Sequence, residues 1–119
     1  MATKAVITQR VGEDLGLVPI GQAVESQDKA RIETAFTETY NRLKEKGLAT
    51  WASTAEVPTR IVPYYILMML EKLLISYSVP ESRQIRIKQD AGEDGNLALM
   101  NIAEMVTPEY DSVDDVEDY

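Results

Sequence analysis

The apolar positions of this chain are most concentrated in residues 64–77, YYILMMLEKLLISY, where only Glu71, Lys72 and Ser76 interrupt them. As a helix, this segment is apolar on nearly every side, which is typical of the interior of a large protein or of a membrane. The run is shorter than the roughly 20 residues that span a bilayer. Three other helices of a 119-residue chain could cover only part of it. We therefore predict that part of this helix packs against other subunits, through Ile66, Met69, Leu70, Leu73, Leu74 and Tyr77.

Two amphipathic helices are predicted before this run. Residues 3–15 form the first, with an apolar residue at every fourth position, Thr3 as N-cap and Gly16 as its stop. The connector, residues 17–25, turns at Pro19 and Gly21. Its apolar residues are expected to lie on the core, and they are Leu17, Val18, Ile20 and Val24.

The second helix is predicted to begin with Ser26 as its cap and to end at Gly47. Its inward face carries Ile32, Phe36, Thr39 and Leu43. Glu38 and Arg42 stand at i, i+4 and are expected to pair on the solvent side.

A loop, residues 48–59, separates the second helix from the third. Trp51 is expected to anchor it by burying its ring against the helices, and an exposed contact to a partner is the alternative. The third helix is predicted to start at residues 60–62, with Pro63 in its first turn, and to run to about Ser78.

The fourth helical segment spans residues 81–106, where Ile85, Leu99, Ile102 and Val106 share one face with Gly92 and Gly95. One long helix, kinked near residues 90–95, is the favoured interpretation. Each glycine costs about 1 kcal/mol inside a helix. Two helices joined by the loop AGEDGN are therefore the alternative.

These elements predict an all-α fold, a small four-helix bundle over residues 1–106, followed by an extended acidic tail over residues 107–119. Six of the twenty acidic residues lie in the tail, which has no Lys or Arg, and the net charge of the chain is −8. Such charge density opposes self-burial. Apolar residues nevertheless recur at every third position, and we expect them to engage a partner: Tyr110, Val113, Val116 and Tyr119.

Composition argues against most chemistry. The chain has no histidine and no cysteine, so the commonest general base and the thiol nucleophile are absent. No glycine-rich phosphate loop and no calcium loop is present. We expect no enzymatic activity, no metal and no cofactor. No basic stripe that would follow a phosphate backbone is present, so direct nucleic-acid binding is not expected either.

An ordered set of landmarks carries a family resemblance. It runs from Leu15-Gly16 and Gly21-Gln22, through a long amphipathic helix, to Lys46-Gly47-Leu48 with Trp51 close behind. Val57-Pro58, an apolar helix and a last helix rich in small residues follow. Over residues 5–106, this order resembles the head-to-tail adaptor proteins of tailed bacteriophages, also called connector, head completion or tail accessory proteins.

The resemblance implies a structural protein of the virion. Such adaptors are helical bundles that form a homo-oligomeric ring, expected to be a dodecamer, below the portal protein. The ring extends the DNA channel and provides the docking surface for the tail or nozzle protein. Double-stranded DNA passes through without specific binding, and no membrane is involved. The implied location is the neck between capsid and tail, after assembly in the host cytoplasm, with the C-terminal tail as candidate portal-binding segment.

Two other functions are compatible with the same residues. The helices could form a soluble protein-interaction module, a chaperone or regulator, that uses the acidic tail as bait. A packaging or DNA-binding protein is the weaker possibility, since it would require salt-dependent binding to duplex DNA.

Overall fold

The computed structural model describes residues 2–53 and 56–106. Within these ranges the chain forms five α-helices and no strand, so the predicted all-α fold is confirmed. A single antiparallel bridge joins Ala2 to Val57. The acidic tail, with its four candidate portal-binding residues, lies outside the described residues. The helices are α1 (Lys4–Asp14), α2 (Ser26–Glu45), α3 (Val62–Leu73), α4 (Glu81–Ala91) and α5 (Asn96–Val106).

Helix α3 is the centre of the bundle, because it contacts each of the other four helices. Tyr65 is fully buried on it, and its hydroxyl donates a hydrogen bond of 2.7 Å to the carbonyl oxygen of Phe36 on α2. The two rings pack with centroids 5.0 Å apart. Burial raises the pKa of the Tyr65 phenol. The central helix is thus fixed to α2 by both packing and a buried hydrogen bond.

The expectation that α3 leaves an apolar face uncovered is wrong for the predicted packing residues. The chain's own helices bury Ile66, Met69, Leu70, Leu73 and Leu74, and Tyr77 is half-buried. The Tyr77 hydroxyl donates to the carboxylate of Asp28 at 3.0 Å. The cause is the fourth segment of the bundle, which folds back and supplies two helices against α3 instead of one.

The ends of α1 and α2 follow their local signals. Thr3 caps α1, since its hydroxyl accepts a hydrogen bond from the backbone N–H of Val6 at 3.2 Å. Gly16 and Gly47 follow the two helices with φ of +79° and +74°. Ser26, however, is the first residue of α2 and not its cap. Glu25 holds the cap position and makes no side-chain capping bond.

Helix α3 ends at Leu73, earlier than the predicted Ser78. The backbone N–H of Ser76 bonds to the carbonyl of Leu73 in a tighter turn, which redirects the chain. This turn brings Tyr77 to Asp28 and buries Val79 in the core. Ile75 is left at the tip of the turn.

The preferred interpretation of residues 81–106 as one helix is wrong, and the alternative of two helices is the one observed. Gly92, Asp94 and Gly95 have φ of +79°, +54° and +71°, which interrupts the helix with one 3-10 turn. Arg42 of α2 holds this turn, donating to the carbonyl of Asp94 at 2.6 Å and to Asn96 Oδ1 at 2.8 Å. The break lets α4 and α5 both pack on α3.

The predicted Glu38–Arg42 pair does not form. Arg42 reaches the carboxylate of Asp94 at 3.8 Å, and Glu38 pairs with Lys72 at 3.7 Å. The first contact joins α2 to the turn between α4 and α5, and the second joins α2 to α3. An i, i+4 pair would have stabilised α2 alone, whereas these contacts fix its position in the bundle.

Trp51 fastens the loop after α2 to the core. Its carbonyl accepts a hydrogen bond of 2.7 Å from the hydroxyl of Tyr40. Its half-buried ring lies 6.1 Å from the ring of Tyr40 and 6.5 Å from that of Tyr65. The side chain therefore acts as the loop anchor that the sequence predicted.

Candidate interaction surface

Several large apolar side chains remain in contact with solvent. Ile75 is 95% exposed and Ile20 is 89% exposed, while the other members of the set are near half exposure. Single exposed apolar residues are common on protein surfaces. These two isoleucines are notable because each borders a groove whose floor is apolar. The other exposed members are Val6, Ile85, Leu97 and Met100.

Ile75 borders the first groove, between α2 and the end of α3, which we call the α2–α3 groove. It has a volume of about 560 Å³. Ala35 and Leu73 form buried parts of its floor, and Arg31, Glu38 and Lys72 supply its charges. Ile75 projects from this side of the molecule as an apolar protrusion.

Ile20 borders the second groove, between the end of α1, the connector, α3 and α4, which we call the α1–α4 groove. It has a volume of about 420 Å³. Its floor is apolar and its rim carries charges of both signs. The apolar lining is Ile20, Leu67, Leu70 and Ile87, and the charged lining is Glu13, Asp14, Arg83, Arg86 and Asp90.

Hydrogen bonds from α1 position the connector and therefore Ile20. The carboxylate of Glu13 accepts from Gln9 Nε2 at 2.8 Å and from the backbone N–H of Gly21 at 3.1 Å. Gln9 Nε2 also donates to the carbonyl of Gln22. The connector thus closes against α1, next to the α1–α4 groove.

Close packing completes this attachment. A Cβ on Gly12 would stand 2.4 Å from Val24 Cγ2, so only glycine allows the connector to lie this near α1. On the other wall, Arg83 Nη1 of α4 donates to the carbonyl of Asp14 at 3.2 Å. The groove is therefore bounded by elements that are joined to one another.

The pKa values of the two carboxyl groups at the end of α1 are shifted in opposite directions. The hydrogen bonds from Gln9 and Gly21 lower the pKa of Glu13, because they favour its charged form. Burial raises the pKa of neighbouring Asp14, because desolvation disfavours its charge. The same hydrogen bonds make Glu13 the carboxylate that holds the connector.

Acidification should weaken the hydrogen bonds by which Glu13 holds the connector. The pKa of Glu13 is lower in the folded protein than in the unfolded chain, so its stabilising effect is complete above the unfolded pKa. It is lost as pH falls through the lowered folded value. We expect the hydrogen-exchange protection of the Gly21 amide to fall in that acidic range, measured by NMR.

Glu13→Gln is the matched control for this titration. It keeps the size of the side chain and removes the ionisation, so the protection of the Gly21 amide should no longer change with the titration of residue 13. An unaltered profile in the variant would contradict the assignment.

The sequence-predicted residues and the grooves coincide only in part. Leu70 lies on the floor of the α1–α4 groove and Leu73 on that of the α2–α3 groove. Ile66, Met69 and Leu74 are interior, and Tyr77 bonds to Asp28. Ile20 and Ile75 were not predicted as surface residues. The Pro19–Gly21 turn could have indicated the exposure of Ile20.

The connector was expected to lie on the core along its whole length, and Ile20 contradicts this. Leu17 and Val24 do pack against the core. Ile20 sits at the tip of the turn, where the N–H of Gln22 bonds to the carbonyl of Pro19. At that position the side chain remains in solvent.

Across residues 2–53 and 56–106, no cluster of three or more acidic side chains has the geometry to hold a metal ion. None of the helices described is long and apolar enough to cross a membrane. Two of the grooves on the described surface are each bordered by a strongly exposed isoleucine. Comparisons with protein-family models, curated proteins and solved structures gave no match.

Proposed function

We propose that the chain is a structural subunit that associates with copies of itself to form a ring, as a head-to-tail adaptor below a phage portal. The observation that carries self-association is the pair of exposed isoleucines beside apolar grooves. Burial of apolar surface is the main driving force of such association. The phage neck is proposed from the landmark order alone.

Several of the landmarks have a structural role in the bundle. Gly16 and Gly47 end α1 and α2, Gly21 turns the connector, and Val57 pairs with Ala2 where the loop approaches α1. These residues set the ends and connections of helices. The ordered set therefore describes a bundle geometry, which makes it more informative than its short motifs are separately.

The proposed partners follow from this role. Portal and tail or nozzle proteins would contact the ring, and double-stranded DNA would pass through it without specific binding. The acidic net charge of −8, of which six charges lie in the tail, suits a channel through which repelled DNA slides. In this proposal the protein is not an enzyme, and residues 107–119 attach the ring to the portal through Tyr110, Val113, Val116 and Tyr119.

Electron microscopy of the protein, alone and mixed with the portal protein of the same genome, tests the proposal. We expect rings, at least in the mixture. A variant that ends at Val106 should keep its helical content but attach to the portal more weakly. A mixture that yields only free monomers would refute the adaptor function, and unchanged attachment of the truncated variant would refute the role of the tail.

A soluble interaction module, a chaperone or regulator, is the second candidate. The α1–α4 groove favours it, because an apolar floor with charges on the rim also suits a segment of another protein. The neighbouring genes distinguish the two functions. Portal and capsid genes beside this one would support the adaptor, and a regulatory operon would support the module.

A further inference from the structure

The protrusion and the α1–α4 groove lie on different sides of α3. Leu67 and Leu70 line the α1–α4 groove, whereas Lys72 lines the α2–α3 groove that Ile75 borders. The rest of the α1–α4 groove comes from α1, the connector and α4, whereas the rest of the α2–α3 groove comes from α2 and the turn after α3, and the two grooves share no lining residue. One copy therefore presents an apolar protrusion on one side and an apolar recess on another.

We propose that Ile75 of one copy inserts into the α1–α4 groove of a second copy, and that this is the head-to-tail contact of the ring. The inference rests on the proposed function. A contact between two different surfaces of the same molecule is heterologous, and repetition of such a contact produces a ring when the rotation closes. An interface that joined one surface to itself would stop at a dimer.

The apolar chemistry of the two surfaces matches. Ile75 loses almost no surface to its own chain, so nearly all of its side chain is available for burial in a contact. The recess offers Leu67, Leu70 and Ile87 as a floor, with Ile20 at the rim. Burial of this isoleucine side chain against that floor would favour association of the two copies.

The charges beside the two surfaces have opposite excess. Among the residues that line the α2–α3 groove beside Ile75, Arg31 and Lys72 are basic and Glu38 is acidic. The α1–α4 groove has three carboxylates against two arginines. Lys72 is only weakly engaged, because its contact with Glu38 is 3.7 Å and both side chains are about half exposed. Charge complementarity of this kind orients two copies as they meet.

The excess of carboxylates in the α1–α4 groove also favours a second copy, and not the chain's own C-terminal tail, as the occupant of that groove. Residues 107–119 carry six acidic side chains and no basic one. Bringing them to a groove that already has more carboxylates than arginines would add like-charge repulsion. The protrusion with Arg31 and Lys72 carries the charge that the groove lacks.

Disulfide trapping tests the contact directly, since the chain has no native cysteine. Ile20→Cys and Ile75→Cys are combined in the full-length protein, which is then oxidised. A disulfide forms only where the two Cα atoms approach within about 7 Å. Because the two positions border different sides of α3, the bond should join different copies and give a ladder of covalent multimers.

Three controls define the contact. A mixture of the two single-cysteine proteins should give covalent dimers and nothing larger, because each copy has one thiol. Either single variant alone should give little product. The pair Ile20→Cys with Met100→Cys should give no ladder, because Met100 is exposed on α5 and lines neither groove. Equal ladders from the Met100 pair, or dimers from Ile75→Cys alone, would overturn the proposal.

Ile75→Asp separates this proposal from the proposed function. It should weaken self-association about tenfold to a hundredfold, measured by sedimentation velocity, while Met100→Asp should leave it unchanged. Rings that persist equally in Ile75→Asp would overturn the contact and leave the adaptor function standing. A wild-type protein that never associates, with or without the portal, would overturn both.

Discussion

Replacing Leu70 with aspartate is expected to lower the free energy of unfolding by more than about 2 kcal/mol. Leu70 is 5% exposed, and it lies where α3 meets α4 at the floor of the α1–α4 groove. The substitution removes apolar packing and places a carboxylate in a buried position. The arginines on the rim already face three carboxylates, so they would offset only part of the cost of burying that charge. Urea denaturation followed by circular dichroism measures the change.

The matched control is Ile75→Asp, which makes a similar chemical change at a side chain that is 95% exposed. Measured at a concentration at which the protein is monomeric, its effect on the free energy of unfolding should stay within about 0.5 kcal/mol. If the Leu70 variant does not fold, Leu70→Ala gives a measurable substitute, with an expected loss of about 2–5 kcal/mol. Equal stability of Leu70→Asp and Ile75→Asp would contradict the burial of Leu70.

Gly92→Ala is expected to destabilise the protein by more than about 2 kcal/mol. Gly92 has φ +79° and ψ 171°, a conformation that is essentially restricted to glycine. A Cβ there would also stand 2.6 Å from Leu97 Cβ and 2.7 Å from the backbone nitrogen of Leu97. Relief requires the turn between α4 and α5 to move, which disturbs the packing of both helices on α3.

Gly21→Ala is the control that measures the cost of backbone strain without a steric clash. Gly21 has φ +91°, but a Cβ there would meet no atom within 4 Å. Its cost should therefore be limited to backbone strain of about 1 kcal/mol. Thermal unfolding of the two variants measures the difference. If Gly92→Ala cost no more than Gly21→Ala, the close approach of Leu97 would not constrain the turn.

Local signals were sufficient where a helix end depends on its own residues. Thr3, Gly16 and Gly47 act as the sequence predicts, because capping and positive φ are properties of one or two residues. The end of α3 could not be predicted in this way. Its position depends on Tyr77 reaching Asp28 and on Val79 reaching the core, which are contacts across the bundle.

The break between α4 and α5 explains why the predicted packing residues of α3 are buried within the chain and are not left uncovered. A single long fourth helix would cover α3 along one line and leave apolar surface for other subunits. Arg42 instead stabilises a turn at Asp94, and the helical hairpin covers α3 with two helices. The sequence shows the glycines but not the arginine that holds the turn, since Arg42 is distant in the chain.

The sequence could predict that the candidate surface is apolar, but not which residues form it. Sequence composition indicated an interaction protein, and Leu70 and Leu73 do lie at groove floors. The exposure of Ile20 and Ile75 could not be read from the apolar pattern, because both occur among apolar neighbours. Their exposure follows from two turns whose direction is set by the packing of the helices around them.

The anchoring of Trp51 beside Tyr40 and Tyr65 makes the protein its own fluorescent reporter. Because the chain contains a single tryptophan, its tryptophan emission comes from one indole at a known position. That indole lines neither groove, so a change in its emission signals that the loop has left the aromatic cluster. Spectroscopy of the unlabelled protein can therefore follow the opening of the bundle separately from the meeting of two copies.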